Sequence, residues 1–146
     1  MTKDNPITDE IDYILEDQVG FMLRMASQRH AAIFQSHIIA KLTPTQFSTI
    51  IRLAEVGSAS QNHLGRLAAM DVATIKGVVD RLKAKGLIHS NPDLVDKRRS
   101  IITLSQKGKE LVAELKKSGL VISEKTLIPL SAKEQSTFLK LLRKIS

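Results

Sequence analysis

Cysteine is absent from this 146-residue sequence. Its absence excludes disulfide bonds, thiolate zinc sites, thiol nucleophiles and redox sensing through cysteine. The sequence also lacks any apolar run of about eighteen residues, the length that predicts a membrane-spanning helix. Its acidic and polar start, MTKDNPITDEID, differs from a secretory or mitochondrial signal. We therefore expect a cytoplasmic protein.

Motifs for catalysis and for metal binding are missing as well. The four histidines, His30, His37, His63 and His89, contain no pair spaced i,i+4, and there is no H-E-x-x-H sequence. There is also no G-x-S-x-G, P-loop or dinucleotide-binding glycine motif. We expect no metal, no cofactor and no enzymatic activity.

The positive charge is concentrated in the middle of the chain. The formal net charge is +7, and the apolar fraction of 42% is that of an ordinary folded domain. Residues 1–20 have one base against six acids, whereas residues 60–109 have ten bases against four acids. This distribution fits a nucleic-acid-binding module, although a basic solvated surface would also explain it.

Apolar periodicity predicts a long first helix from about Asp9 to Lys41. The apolar residues recur every three to four positions and form one stripe, which consists of Ile11, Leu15, Met22, Met25, Ala26 and Ile33. A small domain cannot cover a helix of this length, so we expect it to pack against a second chain.

Capping signals predict three further helices before the first strand. Thr43 and Gln46 form a capping box at the start of a second helix, which ends at Gly57. A third helix begins near Ser60, and a fourth occupies residues 71–86.

The period then changes to that of strands. Leu87–Ser90 and Ser100–Leu104 are predicted strands, and the turn-rich basic loop 91–99 lies between them. Helix resumes after Ser105, and a second capping box at residues 131–134 starts the last helix.

Two short helices followed by a basic hairpin predict a winged helix-turn-helix. Helix 71–86 would enter the major groove, with Ile75, Val78, Val79 and Leu82 facing the core. Its outward face is made of small residues flanked by polar ones, namely Ala73, Thr74, Lys76, Gly77 and Arg81. The alternative is an ordinary amphipathic helix with a solvated face, in which helix packing explains the mid-helix Gly77.

The loop Asp96-Lys97-Arg98-Arg99 is the sharper signal. A basic hairpin tip fits the minor groove, where the concentrated negative potential attracts arginine. Asp96 is placed to orient the guanidinium of Arg98. The alternative is a solvated charged turn.

Four segments together resemble the MarR family of bacterial transcription regulators. The wing Asp96–Ser105 matches its D-x-R and L-[T/S] pattern, and Leu42–Phe47 matches L-T-x-x-Q-[F/Y]. Val79–Leu87 matches V-x-R-L-x-x-x-G-L, and Leu104–Lys109 matches L-T-x-x-G-[R/K]. The resemblance covers about residues 10–146.

The resemblance implies a mainly α fold with a small β-hairpin wing, and a homodimer formed by the first, fifth and sixth helices. Residues 1–146 would form one domain, in which 43–104 are the DNA-binding lobe and 9–41 with 105–146 are dimerisation helices. The partner would be double-stranded DNA with an inverted-repeat operator, and a small ligand would release the repressor. The implied DNA contacts are Ser60, Gln61, Ala73, Thr74, Lys76, Gly77, Arg81, Asp96, Lys97, Arg98 and Arg99.

Two departures from the family pattern matter. Residues 72–77 read VATIKG where many members have Ser and Arg, so the operator sequence cannot be carried over. The missing cysteine excludes the peroxide-sensing branch.

Arg29 and His30 on the apolar stripe of the first helix suggest an effector site. A buried arginine suits a carboxylate, and Phe34 and Phe47 offer flat apolar walls. The segment Phe21–His30 also resembles family members that regulate the breakdown of aromatic acids, so we expect an aromatic carboxylate or phenolic effector. The alternative is that Arg29 pairs with an acid across the dimer and that His30 is a core-edge histidine.

Two other classes of function remain open from the sequence. A protein-interaction module with a winged-helix fold would have no need to keep Lys97, Arg98 and Arg99 together. A small enzyme is disfavoured because no catalytic constellation is present.

Overall fold

A computed structural model describes residues 11–146, which fold into helices and a three-stranded antiparallel sheet of order β1-β3-β2. The elements are a 3-10 turn at Leu15–Asp17, α1 Val19–His37, α2 Pro44–Val56, β1 Ser58–Ser60, α3 Gln61–Leu67, α4 Val72–Ala84, β2 Ile88–Pro92, β3 Ser100–Leu104, α5 Gln106–Leu127 and α6 Ala132–Lys144. The predicted fold class, mainly α with a hairpin wing, is confirmed. Within residues 11–146, no helix has both the length and the apolarity needed to cross a membrane.

Short side chains cap the helices where the sequence predicts them. Thr43 and Gln46 form a complete capping box, and α2 ends at Gly57 with φ 81°. Ser60 and Asp71 accept hydrogen bonds from the third residue of α3 and α4, respectively. These bonds satisfy backbone N–H groups that have no partner within the helix. The capping residue, three positions from its partner, therefore determines where each helix begins.

The predicted extent of the first helix, residues 9–41, is wrong. Asp9 and Glu10 lie outside the described residues, and α1 covers only Val19–His37. Gln18 has extended backbone angles, and Ala40 and Lys41 have positive φ values of 60° and 52°. A longer helix would bury little of its stripe in this chain, where Ile11 is 78% exposed, so packing would not offset the cost of ordering it.

The sheet differs from the prediction in two places. β1 was not predicted because three residues, Ser58–Ser60, give too little periodicity to recognise. β2 begins one residue later and ends two residues later than predicted, so that Pro92 pairs with Ser100. Proline is tolerated there because β2 is an edge strand.

The hydrophobic core lies in the lobe formed by α2–α4 and the sheet, and it extends to α5. Its fully buried large apolar side chains include Ile50, Leu53, Leu64, Ile75, Leu82, Leu87, Ile102 and Leu115. By contrast, Phe34 is the buried residue of α1, and α6 has none. We call α1, α5 and α6 the terminal helices. Many exposed large apolar residues lie on them or, for the last, just after α6: Met22, Leu23, Met25, Leu120, Phe138, Leu139, Leu141 and Ile145.

Ser105 joins the lobe formed by α2–α4 and the sheet to α5. Its amide donates to the carbonyl of Leu87 (2.9 Å), and its hydroxyl donates to the carbonyl of Gly86 (2.7 Å). The same hydroxyl accepts from the amide of Gly108 (3.0 Å). A Cβ on Gly108 would collide with the backbone carbonyl of Leu87, so glycine is required at this position.

Replacing Gly108 by Ala should therefore lower the free energy of unfolding by about 1–3 kcal/mol, the usual cost of overpacking. Gly20→Ala is the matched control, because Gly20 is also helical and a Cβ there meets nothing within 4 Å. That control should be neutral or stabilise by about 0.5–1 kcal/mol. Urea denaturation of both variants measures the difference. Equal stability of the two variants would contradict the close contact with Leu87.

Candidate DNA interface and effector pocket

Helix α4 starts at a strong cap and presents two different faces. Asp71 Oδ1 accepts a hydrogen bond from the Thr74 amide (2.7 Å), and this bond, followed by one from the Thr74 side chain, lowers the pKa of Asp71. The face predicted to be buried is confirmed, since Ile75, Val78, Val79 and Leu82 are all in the core.

The opposite face of α4 is open and carries the predicted DNA contacts. Ala73 and Thr74 are exposed, and Lys76 lies 3.7 Å from Asp80 in a solvent-exposed ion pair. A Cβ on Gly77 would meet only the flexible end of Arg81, whose Nη1 is 3.2 Å away. Within the described chain, a Cβ at Gly77 would meet no other helix within 4 Å, so a close helix–helix contact does not require this glycine.

Strand β1 brings the start of α3 beside the wing. Ser60 pairs with Ile101 of β3, which places it next to the arginines that precede this strand. A cleft of about 190 Å³ results, lined by Ser60, Gln61, Asn62, Arg98, Arg99 and Ser100. The structure thus brings together four predicted DNA contacts. Sequence analysis missed Asn62 and Ser100, because only the unrecognised β1 pairing places them there.

The wing arginine is held by the predicted aspartate. Arg98 Nε donates to Asp96 Oδ1 (3.1 Å), Nη2 donates to Oδ2 (3.3 Å), and the Arg98 amide also donates to Oδ1 (3.1 Å). The Arg98 side chain is nevertheless 91% exposed. These hydrogen bonds, with a smaller contribution from the charge of Arg99, lower the pKa of Asp96. The carboxylate orients the guanidinium without removing it from solvent.

Arg29 contacts neither an acid nor a cavity in the described chain. It is exposed, and its Nη1 and Nη2 donate to the carbonyls of Thr126 (2.7 Å) and Lys125 (3.2 Å) at the end of α5. His30 Nδ1 lies 2.8 Å from the hydroxyl of Thr126. The expectation that Arg29 is buried is not met in the single chain, because the stripe of α1 has no cover there.

The two phenylalanines lie where α1, α2 and α5 meet. Phe34 and Phe47 make an edge-to-face contact with centroids 5.9 Å apart and an interplanar angle of 79°. A Cβ on Gly119 of α5 would come within 2.9 Å of Phe47 Cζ. The phenylalanine pair therefore connects the lobe to the terminal helices.

An apolar cavity of about 350 Å³ lies between α1, α5 and α6. Its lining consists of Leu23, Ala26, Ser27, His30, Ser123, Thr126, Leu127, Phe138, Leu139 and Leu142. Of the four predicted effector residues, His30 lines it and Arg29, Phe34 and Phe47 do not. The contribution of α6 could not be found from the sequence, because it depends on how two distant helices pack.

Comparison with known proteins agrees with this geometry. The model of the MarR family matches residues 42–100, which include α2, α3, α4, strand β2 and the tip of the wing. The HTH-type transcriptional repressor NicR of Pseudomonas putida is 41% identical over 138 residues, covering 94% of this chain and 87% of NicR.

Two solved structures have the same fold. A probable transcriptional regulator from Pseudomonas aeruginosa has a TM-score of 0.88 and 46% identity, covering 91% of this chain and all of that one. BpsR of Bordetella bronchiseptica has a TM-score of 0.86 and 38% identity, covering 92% of this chain and 96% of BpsR. That structure concerns the regulation of BpsR's DNA binding by 6-hydroxynicotinic acid.

The fold and the basic wing define a winged helix-turn-helix DNA-binding protein. The chain belongs to the MarR family. It is therefore a transcription regulator and not an enzyme.

Replacing Asp96 by Asn should lower the ratio of specific to non-specific DNA affinity several-fold, because the neutral amide offers Arg98 a single, weaker acceptor. The pKa of Asp96 is lowered in the folded state, so its pairing with Arg98 is intact above the ordinary pKa and is lost only as the pH falls through the lowered one. The difference between variant and parent should thus stay constant between about pH 5 and 8.

Fluorescence anisotropy with two duplexes measures this ratio. Asp93→Asn is the control, since it removes the same charge from the same loop but leaves the partners of Arg98 in place. If both variants had the same ratio of specific to non-specific affinity, the loss of one negative charge from the loop would explain it, and the orientation of Arg98 by Asp96 would not matter.

Proposed function

We propose that the chain is a homodimeric repressor, which binds an inverted-repeat operator in the bacterial cytoplasm and is released by a small aromatic acid. The observation that carries this proposal is that one lobe presents both an open α4 face and an exposed Arg98 held by Asp96. The helix face would contact bases in the major groove, and Arg98 would enter the minor groove.

The proposal of a dimer is supported by the uncovered face of the terminal helices. Met22 and Met25 of α1, Leu141 of α6 and Ile145 just after α6 are exposed in the single chain. Covering them with a second copy removes apolar surface from water, which is the main driving force of association. The terminal helices would thus form the dimerisation region, and residues 43–104 would form the DNA-binding lobe.

On DNA, each subunit would place α4 in a major groove. Ala73 and Gly77 let the helix backbone approach, while Thr74 and Lys76 reach base edges or phosphates. Three further basic residues would bind DNA phosphates: Arg81, Lys97 and Arg99. In the cleft beside the wing, Ser60 and Gln61 would donate hydrogen bonds to the DNA backbone between the two grooves. An interaction module without DNA binding would have no use for this arrangement.

The effector proposal rests on Thr126, which contacts both predicted polar residues. Arg29 donates to its carbonyl and His30 meets its hydroxyl, so the two side chains converge on one turn of α5. A guanidinium has five N–H donors. Arg29 donates one hydrogen bond from Nη1 and one from Nη2 to backbone carbonyls, so its other N–H donors remain for a carboxylate. The apolar cavity beside His30 has the size of a small ligand site.

The ligand class is an aromatic carboxylate or phenolic acid. An aromatic ring suits the apolar lining of the cavity, and the edge-to-face contact of Phe34 with Phe47 joins α1 to the lobe. The similarity to NicR and to BpsR, whose DNA binding is regulated by 6-hydroxynicotinic acid, supports the same class. The effector would favour a spacing of the two α4 helices that no longer fits successive major grooves.

The proposed DNA-binding mode predicts two chains per duplex and half-sites about 10 bp apart. Arg98→Ala should weaken binding to the selected operator about tenfold and reduce the salt slope by about 0.9 if one phosphate contact is lost. Lys140→Ala, the same loss of charge on α6, is the control. Thr74→Val and Lys76→Ala should change which sequences are selected. Parent-like operator binding by Arg98→Ala would refute the role of the wing.

The effector is tested with benzoate, hydroxybenzoate, cinnamate and pyridine carboxylates in a DNA-release assay. Release should be lost in Arg29→Ala and reduced in Arg29→Lys, which keeps the charge but loses the planar fork. A thermal melt of each variant separates this loss from unfolding, since Arg29 also contacts the end of α5. Unchanged release by Arg29→Ala would exclude this residue, and no response to any compound would count against the ligand class.

A further inference from the structure

Two aliphatic side chains at the tip of the wing are more exposed than any other large apolar residue in 11–146. Leu94 is 97% exposed and Val95 is 95% exposed. Hairpin tips usually carry Gly, Asn, Asp, Pro or Ser, which satisfy the turn and remain solvated. Neither side chain packs on the core, so the fold of the chain does not account for them.

The tip is held in shape by its own backbone. The amide of Asp93 donates to the carbonyl of Arg99 (2.9 Å), which closes the loop beyond the pairing of Pro92 with Ser100. The amide of Val95 donates to Asp93 Oδ1 (3.0 Å). Val95 and Arg98 are three residues apart, so their Cα atoms are separated by at most about 11 Å.

We infer that Leu94 and Val95 form an apolar wedge that packs into the minor groove of DNA beside Arg98. This inference rests on the proposed function, because it requires the wing to lie on DNA. Aliphatic side chains can pack on deoxyribose or insert partly between base pairs, where they kink the duplex. The two residues would thereby add a preference for deformable base steps to the charge-based binding of Arg98.

Continuity with the basic surface favours DNA as the partner of this tip. Leu94 and Val95 share a closed loop with Lys97, Arg98 and Arg99, and the last two also line the cleft at the start of α3. A surface that approaches a polyanion through these arginines brings the tip against the same duplex. Burial there would remove both side chains from water, which is favourable for each.

The test compares two double variants of the full-length protein. Leu94→Asn with Val95→Thr keeps the approximate shape and removes the apolar character, whereas Leu94→Met with Val95→Ile keeps the apolar character. The probe is the duplex that the parent selects from a random pool. We expect the polar variant to bind about tenfold more weakly, or about 1.4 kcal/mol, and the apolar variant to bind like the parent.

Two readouts distinguish a wedge from a charge contact. The slope of affinity against salt should be unchanged in the polar variant, because no counterion-releasing contact is lost, whereas Arg98→Ala should reduce it. The fluorescence of 2-aminopurine at the base step under the wing should increase with the parent and with the apolar variant. It should increase less with the polar variant, because unstacking requires the wedge.

The outcomes separate this inference from the proposed function. Parent-like binding by the polar variant, together with weak binding by Arg98→Ala, would overturn the wedge and keep the wing on DNA. Equal weakening by both double variants would also overturn it, since apolar character would then be irrelevant. If Arg98→Ala binds normally as well, the wing itself does not contact DNA. Loss of repression in cells with normal DNA affinity would assign the tip to a protein partner and refute the wedge.

Discussion

The hydrogen bonds of Ser105 are the constraint on which the arrangement of the functional elements depends. This one residue binds the chain just after α4, at Gly86 and Leu87, and caps α5 through the amide of Gly108. It also follows β3 directly, so the end of α4, the wing and α5 meet at one point. No Cβ fits at Gly108, so glycine there keeps the backbone of α5 in close contact with the carbonyl of Leu87.

A second link connects the end of α4 to the turn between α1 and α2. Lys85 Nζ donates to the carbonyl of Lys41 (2.9 Å) and to Gln46 Oε1 (3.2 Å). Ala40 and Lys41 both have positive φ, a conformation that costs free energy in residues other than glycine and therefore needs support from outside the turn. Lys85 gives part of this support. A displacement of α1 would therefore be transmitted through Lys85 to the C-terminal end of α4.

The sequence predicted the features whose causes are local. The caps at Thr43, Ser60 and Asp71 and the pairing of Asp96 with Arg98 depend on residues two or three positions apart, and all are present. Two features depend on distant residues and were missed: the β1–β3 pairing that builds the cleft, and the α6 wall of the cavity beside His30. The predicted first helix was too long because its apolar stripe was taken as sufficient evidence for a helix. Whether another part of the chain covers that stripe cannot be judged from the sequence.

These connections restrict how an effector can act on DNA binding. The lobe has an apolar core, and α4 and the wing are connected through Ser105, so a ligand near His30 would have no contact path that moves α4 alone. Besides Ser105, the Phe34–Phe47 pair joins the lobe to α1 and α5, and Lys85 joins the end of α4 to the turn after α1. A ligand that binds one orientation of the lobe more tightly than another will therefore move α4 and the wing together. In the proposed dimer, regulation would then change the distance between two intact lobes and would not disassemble either of them.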